Sequence, residues 1–270
     1  MLTQEYIDRD GIKVFHDDID NKHSDYNASG LDNLYKVEEK HFWFISRKEF
    51  IFQQMKDMID TKSKMIEIGA GTGNVSRYLQ RKGYVNMAVG EMHSNGLKYA
   101  KSYGIDKCYQ FDLLRAPFEN EFDVIALFDV LEHIENDDLA LENISKMLRE
   151  AGKVILTVPS HMWLWNQDDT IAGHKVRYTK QQLIKKLEEN GFEILRARYF
   201  FMSIIPLLLV RRFVNKDVGY VRKEDEYKKD ISMNPVLNWV LLYMSKIENK
   251  LNNFLPNIFG GSLFVIARKK

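Results

Sequence analysis

A glycine-rich loop at residues 67–73 carries the strongest chemical signal in the sequence. It reads Glu67-Ile-Gly-Ala-Gly-Thr-Gly73 and lies between a short apolar run and a segment with helical spacing. Glycines let the backbone turn sharply and let a ligand approach the main chain, and the following helix offers free N–H groups at its start. The spacing is G-x-G-x-G, because Asn74 stands where the dinucleotide-binding pattern has its third glycine. The loop therefore predicts a ligand site that departs from the pyrophosphate-binding form.

Two acidic residues end the next two predicted strands. Glu91 follows the loop at the end of the second strand, and Asp112 ends the third strand. Ligands of parallel α/β sheets bind at the carboxyl ends of the strands. A carboxylate at Glu91 can accept hydrogen bonds from two ribose hydroxyls, and Asp112 can accept one from an adenine amine. Each acid alone is also compatible with a solvated strand end or a helix cap. The first three predicted strands thus end in the glycine loop, Glu91 and Asp112 in turn, and this order favours a nucleoside site.

A long loop after the fifth predicted strand combines ionisable and aromatic side chains over residues 159–178. Long loops in compact domains tend to be functional, and a pocket for a small ligand needs mostly apolar walls with a few polar anchors. A metal site from the acids and histidine of this loop is conceivable, but the spacing is unspecific, so we predict no metal. We assign the walls and anchors of an acceptor pocket to Trp163, Trp165, Asp168, Arg177 and Tyr178.

Strand and helix patterns that alternate along the chain must position these groups. The predicted strands cover 64–68, 85–90, 107–111, 122–127, 153–158, 192–200 and 262–267. The predicted helices cover 46–59, 74–82, a segment ending near 103, 137–150 stopped by Gly152, and 179–190 capped by Thr179 and stopped by Gly191. This alternation calls for an α/β fold with a parallel sheet and helices on both faces.

Composition narrows the class of protein. The chain has 270 residues, a formal net charge of +1 and one cysteine, Cys108, so no intramolecular disulfide can form. Neither a signal peptide nor a membrane span is expected, and we expect a cytoplasmic protein.

We divide the chain into an N-terminal extension or cap (1–45), a binding core (46–200), a helical insertion (201–258) and the last strand of the core (259–270).

The successive motifs resemble those of class I S-adenosylmethionine-dependent methyltransferases. The resemblance rests on the loop 67–73, Glu91, Phe111-Asp-Leu113 and Phe122-Asp-Val-Ile-Ala-Leu-Phe-Asp-Val-Leu-Glu-His133. The Val-Leu-Glu-His block is similar to the small-molecule branch that includes ubiquinone-biosynthesis O-methyltransferases. The resemblance covers about residues 40–200 and the last strand. It implies a Rossmann-like, seven-stranded, mostly parallel sheet with an antiparallel last strand, S-adenosylmethionine as cofactor and S-adenosylhomocysteine as product.

The resemblance also implies residues for the methionine half of the cofactor. Glu67 would lie near its amino group. Arg47 would approach its carboxylate, for which a bidentate pair is physically suitable, although a surface helix arginine is an equal alternative. The residues that would pack against this half are Gly69, Ala70, Gly71 and Gly73.

For the nucleoside half, the resemblance implies that Glu91 holds the ribose and that Met92 lies against the adenine. Asp112 and Leu113 would flank the adenine from the next strand. Phe128 occupies a position after the fourth strand that often touches the cofactor.

The cofactor would supply an activated methyl group, so the chemistry left to the protein is removal of a proton from the acceptor. Histidine is suited to this step near neutral pH. Our hypothesis is that His174 is the general base, with His133 as the second candidate. The alternatives are structural: His133 could bond a loop backbone, and His174 could hold the loop through Asp168 or Asp169. Arg177 and Tyr178 could likewise form a structural clamp.

The predicted acceptor is a small molecule or a saccharide, free or lipid-linked, and the acceptor atom is oxygen. Near-neutral charge and the absence of Asn-Pro-Pro-Tyr after the fourth strand argue against nucleic acid.

The apolar segment 199–214 is either a peripheral contact with the inner face of the membrane or a buried helix. The helix pattern 235–254 offers a core stripe or a homodimer interface. The alternative functions are a silent cofactor-binding scaffold and a nicotinamide-dependent oxidoreductase, which the glycine spacing disfavours.

Overall fold

The computed structural model describes residues 1–19, 28–214, 233–254 and 256–270. The strands in these ranges are β1 (Ile7–Arg9), β2 (Ile12–Val14), β3 (Met65–Ile68), β4 (Met87–Glu91), β5 (Lys107–Gln110), β6 (Phe122–Phe128), β7 (Leu148–Pro159), β8 (Phe192–Phe200) and β9 (Ser262–Lys269). The helices are α1 (Ala28–Val37), α2 (Phe42–Met55), α3 (Asn74–Arg81), α4 (Ser94–Ser102), α5 (Asp137–Met147), α6 (Gln167–Ala172), α7 (Lys180–Glu189), α8 (Ile205–Val214) and α9 (Pro235–Leu251).

All of these strands form one mixed sheet in the order β1-β2-β5-β4-β3-β6-β7-β9-β8. Strands β2, β5, β4, β3, β6 and β7 are parallel to one another. In contrast, β1 is antiparallel to β2, and β9 is antiparallel to both β7 and β8. The predicted mostly parallel sheet with an antiparallel last strand is therefore confirmed. The N-terminal segment adds β1 and β2 at one edge, where Ile12 pairs with Cys108 of β5, so the sheet is wider than the seven strands predicted.

The central strands are buried because helices cover both faces of the sheet. Successive residues of β3 point to opposite faces: Met65 packs in the cluster with α2 and α3, and Ile66 packs in the cluster with α5 and α7. Strands covered on both sides read as continuous apolar runs, and this is why the sequence reveals them. The sheet thus holds the carboxyl ends of β3, β4, β5 and β6 at one edge.

Three predicted helix boundaries are wrong, and one of them is the end of α2, which lies at Met55 rather than at residue 59. Helix α2 begins at Phe42 rather than at residue 46, because the His41 side chain accepts a hydrogen bond from the backbone N–H of Trp43 and caps the helix there. The expected boundary between extension and core at 45/46 therefore lies inside α2. Helix α5 ends at Met147, and Gly152 lies inside β7 instead of stopping the helix. The strand reaches back to Leu148 because it pairs with Phe122 of β6 across an irregular register.

The apolar segment 199–214 is divided between the core and a helix. Its first part ends β8 and is buried, with Phe200 and Phe201 each 1% exposed, so a membrane contact there is wrong. The rest forms α8, for which lipid contact stays a prediction. Residues 222–230 of the predicted insertion form a charged stretch in the sequence and lie outside the described residues. No helix in the described ranges has both the length and the apolar character needed to cross a bilayer.

Helix α9 confirms the helix pattern predicted from residue 235 and packs on α2. The backbone N–H of Phe42 donates to Asn238 Oδ1 at 2.8 Å, which ties the insertion to the start of α2. Trp239 and Tyr243 on its other side are 65% and 58% exposed. The homodimer expectation stays a prediction.

Candidate functional site

A cavity of about 690 Å³ opens at the carboxyl ends of β3, β4, β5 and β6. It lies where the strand order reverses, between β3 and its neighbours β4 and β6, which is the usual ligand position in such sheets. Its walls come from the loops after these strands, from α1, from the start of α2 and from the end of α6. The predicted residues in its lining are Arg47, Glu67, Gly69, Ala70, Gly71, Glu91, Met92, Asp112, Leu113, Phe128, His133 and His174.

The glycine loop forms the floor of this cavity. Gly69, Gly71 and Gly73 have φ values of +66°, +55° and +79°, a conformation that favours glycine. Gly69 and Gly71 face the cavity. Gly73 does not line it: a Cβ there would lie 2.8 Å from the Cβ of Ala100, so this glycine lets α3 and α4 pack closely. The structure therefore gives Gly73 a packing role behind the ligand site.

Glu91 is held in place by backbone donors around the end of β4. Its Oε2 accepts a hydrogen bond from the N–H of Gly71 at 2.9 Å. Its Oε1 accepts from the N–H groups of Met92 at 2.7 Å and His93 at 3.1 Å. A carboxylate offers about four acceptor positions, so these three bonds orient it and leave capacity for a ligand hydroxyl. Met92 lies beside it in the cavity lining.

Glu67 is a buried carboxyl at the end of β3. Its Oε2 accepts a hydrogen bond from the hydroxyl of Ser76. Burial raises the pKa of Glu67 to about 7, although the hydrogen bond from Ser76 and the charge of Arg47 act in the opposite direction. The carboxyl is therefore protonated in part at neutral pH, and a cation bound beside it would favour the ionised form.

Asp112 begins a short turn, residues 113–115, and its Oδ1 accepts from the N–H of Leu114 at 2.9 Å. Its backbone N–H donates to Nδ1 of His16 at 3.0 Å. His16 follows β2, so the edge hairpin supports this side of the cavity, a connection that the sequence does not reveal. Leu113 and Phe128 are both buried and line the cavity.

Arg47 lies in the cavity wall rather than on the outer surface of α2, with 11% of its side chain exposed. Its guanidinium forms an ion pair with Asp129 and lies over the Trp43 ring, 4.2 Å from the centroid. The Nε–H of Arg47 is buried with no hydrogen-bond partner among the described residues. Asp129 is a residue that sequence reasoning missed.

His133 and His174 come together in the cavity wall, with ring centroids 4.8 Å apart. The loop that carries His174 is tied to the turn 131–133, because the N–H of Lys175 donates to the carbonyl of Glu132 at 2.8 Å. The two candidate bases are therefore neighbours, although they are 41 positions apart in sequence.

Glu132 lies close to these two rings and is 0% exposed. Neither of its carboxylate oxygens has a hydrogen-bond partner in the described part of the chain, and its Oε1 lies 3.9 Å from Nε2 of His174. Burial, and next the charge of Asp129, raise the pKa of Glu132 well above its usual value. Glu132, His133 and His174 offer donor atoms within 4.8 Å of one another, a set that suits a divalent transition ion. Sequence reasoning did not single out Glu132 as a ligand.

The structure does not bring the five predicted acceptor residues into this cavity. Trp163 is 45% exposed, and Trp165 and Asp168 also lie outside the lining. The hydroxyl of Tyr178 donates to Asp137 at 2.7 Å, and Arg177 is buried against Asp169. From the loop 161–178 only Ala172 and His174 appear in the lining.

Helix α1 and Glu38, the residue that follows it, form a further part of the cavity wall. Leu31, Leu34 and Glu38 face the cavity. Glu38 accepts a hydrogen bond from the Thr72 hydroxyl at 2.6 Å, so the helix is tied to the glycine loop. Leucines three positions apart were the available signal.

Known proteins resemble this chain in sequence and in fold. A family model described as a methyltransferase domain matches residues 51–197. An uncharacterized methyltransferase of Alkaliphilus oremlandii is 25% identical over 187 residues, which cover 64% of this chain and 78% of that protein. A ubiquinone biosynthesis O-methyltransferase of Rickettsia conorii is 26% identical over 110 residues, 39% of this chain but only 38% of that enzyme. The structure of Haemonchus contortus phosphoethanolamine N-methyltransferase 2 in complex with S-adenosyl-L-methionine has a TM-score of 0.61 at 17% identity, covering 92% of this chain and 59% of that one.

Proposed function

The chain belongs to the methyltransferase-domain family that matches residues 51–197, and on that premise we propose that it methylates a hydroxyl oxygen of a neutral small molecule or saccharide. S-adenosylmethionine is the methyl donor of this family, so the oxidoreductase alternative does not hold. One observation carries the proposal: His174 lies in the wall of the same cavity that contains the glycine loop and Glu91.

The residues of the cavity fit S-adenosylmethionine. Glu67, Glu91 and Asp112 stand at the ends of three adjacent strands, and their carboxyl groups suit a ligand with a net positive charge. Glu91 has acceptor capacity left for one ribose hydroxyl, and the unpartnered Nε–H of Arg47 can donate to a carboxylate. When bound, the cofactor supplies a methyl group already activated on a sulfonium.

The charge of the cavity favours a neutral acceptor. Arg47 is the one arginine or lysine in the described lining, and its charge is matched by Asp129. A phosphate or carboxylate on the acceptor would therefore meet mainly acidic side chains, which repel it. The walls beyond the cofactor residues include Leu34, Trp43 and Phe44, which suit an apolar molecule.

His174 supplies the base that a hydroxyl acceptor needs. An alcohol or phenol must lose its proton as it attacks, and a positioned histidine typically contributes about 10²–10⁴-fold to the rate of such a step. His133 lies beside it as the second candidate. The rest of the proposed catalysis is alignment of the acceptor with the methyl group by the cavity walls.

The unpartnered Glu132 favours a metal-assisted form of the same transfer as a second candidate. A divalent ion held by Glu132, His133 and His174 would satisfy a buried carboxylate that otherwise has no partner. Activity that a chelator abolishes, that Mn²⁺ or Zn²⁺ restores and that Glu132→Gln removes would support this form. Full activity of the metal-free protein would exclude it.

Calorimetry tests the cofactor, with S-adenosylmethionine, S-adenosylhomocysteine and NAD titrated separately. We expect micromolar binding of the two sulfur compounds that Glu91→Ala abolishes and the matched control Glu193→Ala, an exposed acid on β8, leaves intact. Binding of NAD alone would contradict the cofactor assignment. Binding of neither class would contradict the proposed function.

Product detection tests the acceptor, using panels of phenols, saccharides, amines and phosphorylated alcohols with isotopically labelled cofactor. We expect labelled product from neutral hydroxyl compounds. His174→Gln should lower the rate by about 10²–10⁴-fold, whereas His161→Asn, in the same loop but outside the cavity lining, should not. Full activity of His174→Gln would refute the base, and cofactor binding without any product would favour the scaffold alternative.

A further inference from the structure

Asp169, which the sequence analysis named only as an alternative structural partner of His174, is the most heavily hydrogen-bonded acid beside the cavity. It is 1% exposed. Its Oδ1 accepts from Nε of Arg177 at 2.7 Å, and its Oδ2 accepts from Nη2 of Arg177 at 2.8 Å and from the N–H of Asn166 at 2.9 Å. Nδ1 of His174 lies 2.8 Å from the same Oδ1. These four contacts use the acceptor capacity of a carboxylate.

Arg177 donates to both oxygens of Asp169, and this bidentate ion pair requires an ionised carboxylate. Burial by itself would raise the pKa of Asp169, but the hydrogen bonds from His174 and Arg177 outweigh burial and hold the pKa below its usual value. An ionised carboxylate can only accept hydrogen bonds. The proton between the two side chains must therefore reside on Nδ1 of His174, which leaves Nε2 of the neutral ring without a proton.

The backbone holds this pair together independently of the side chains. Gly173 ends α6 with a φ of +77°, which turns the chain back so that the N–H of His174 donates to the carbonyl of Asp169 at 2.9 Å. Asn166 and Asp169 also cap the start of α6 reciprocally. The ring of His174 thus has a fixed direction, with Nδ1 toward Asp169 and Nε2 on the side of Glu132.

We propose that Asp169, clamped by Arg177, is a positioning residue for methyl transfer that fixes His174 in the tautomer with a bare Nε2. This inference rests on the proposed function, in which His174 is the base. The proton of the acceptor hydroxyl moves to Nε2, and the O–H electron pair stays on the oxygen. The imidazolium that results keeps its Nδ1–H on the ionised Asp169, which stabilises the positive charge.

Asp169 also caps α6, so it could have a purely structural role. In that case Asp169→Asn would lower stability without moving the proton of His174 or lowering kcat. In the Ser-His-Asp arrangement of hydrolases, changing the aspartate to asparagine keeps the geometry but lowers kcat about 10⁴-fold through the wrong tautomer. Asp169→Asn should act in the same way here. The matched control is Asp137→Asn, since Asp137 holds the same loop through Tyr178 without touching His174.

Nitrogen NMR of the imidazole groups reads the tautomer with no acceptor or cofactor present. In protein labelled with ¹⁵N-histidine, at a pH where the rings are neutral, the signals of His174 are identified by their loss in His174→Gln. We expect a protonated Nδ1 and a bare Nε2 in the wild type and in Asp137→Asn, with the proton moved toward Nε2 in Asp169→Asn. A wild-type ring protonated on Nε2, or a tautomer unchanged in Asp169→Asn, would overturn the inference alone.

Kinetics complete the test. Asp169→Asn should lower kcat at least about 100-fold, with the KM for the acceptor and the affinity for S-adenosylhomocysteine changed by less than about threefold. Asp137→Asn should reduce thermal stability without this fall in kcat. An unchanged kcat in Asp169→Asn would overturn the positioning role even if the tautomer moves. Full activity of His174→Gln would instead refute the proposed base, and the positioning role with it.

Discussion

Binding of S-adenosylmethionine should strengthen as pH rises through 7, because of Glu67. The carboxyl of Glu67 is buried at the end of β3, and burial raises its pKa to about 7. The family resemblance implies that Glu67 lies near the cofactor's amino group, and only the ionised carboxylate forms a favourable charge pair with it. Binding must then release the proton that Glu67 carries at low pH, so the observed affinity follows the ionised fraction.

The magnitude follows from the pKa. With a pKa of about 7, roughly 3% of the carboxyl is ionised at pH 5.5 and roughly 76% at pH 7.5, so the affinity should rise about 25-fold, or about 1.9 kcal/mol. The stability of the unliganded protein should change in the opposite direction and fall as pH rises. Its stability should fall by about 3 kcal/mol between pH 4.5 and pH 7, because the folded state retains a proton that the unfolded chain has lost.

Glu67→Gln separates these effects from those of other groups. In calorimetry between pH 5.5 and 7.5, the variant should bind more weakly and lose the 25-fold rise, and any pH dependence it retains belongs to other groups of the cavity. In chemical denaturation at pH 8, the unliganded variant should be more stable than the wild type. A rise in affinity that is equally steep in Glu67→Gln would refute the assignment of Glu67 to the amino group.

Three further predictions address the rest of the site. Gly73→Ala should destabilise the fold by at least about 1 kcal/mol more than Gly104→Ala in urea denaturation, because both need the left-handed conformation but only the first meets Ala100, at 2.8 Å. Equal losses would contradict this reasoning. Glu91→Gln should weaken S-adenosylhomocysteine binding about 10- to 150-fold in calorimetry, as an amide replaces a charged acceptor; unchanged affinity would exclude Glu91 from the site. Phe50→Ala, which removes a ring stacked on β8, should cost about 3–5 kcal/mol of unfolding free energy, with a loss below about 1 kcal/mol as the contradicting result.

The sequence was sufficient for the parallel strands and for the position of the cofactor site. Strands such as β3 and β6 are buried on both faces, so they read as mostly apolar runs, each with a single acid, and turn residues follow them. The glycines of the loop follow β3 directly, and Glu91 is the last residue of β4. Once the strands are parallel, their carboxyl ends meet at one edge, and local sequence therefore places these groups together.

Helix ends were harder to predict from the sequence because they depend on individual hydrogen bonds. The capping box of Thr179 with Gln182 is local, and the start of α7 was predicted correctly. The end of α5 was not, because pairing of Leu148 with Phe122 on the neighbouring strand extends β7 back to the helix. The edge strand β2 forms only because β5 offers it an open edge.

Tertiary structure alone decided which polar residues of the loop after β7 face the cavity. Asp168 and Asp169 are adjacent on α6, so they point about 100° apart, and Asp169 is the one that the structure places against His174 and Arg177. Likewise, Arg47 meets Asp129 and His174 meets His133 across long stretches of chain. Periodicity and turn chemistry act over a few residues and can be read along the chain, whereas the direction of a side chain and its distant partner are set by how the elements pack.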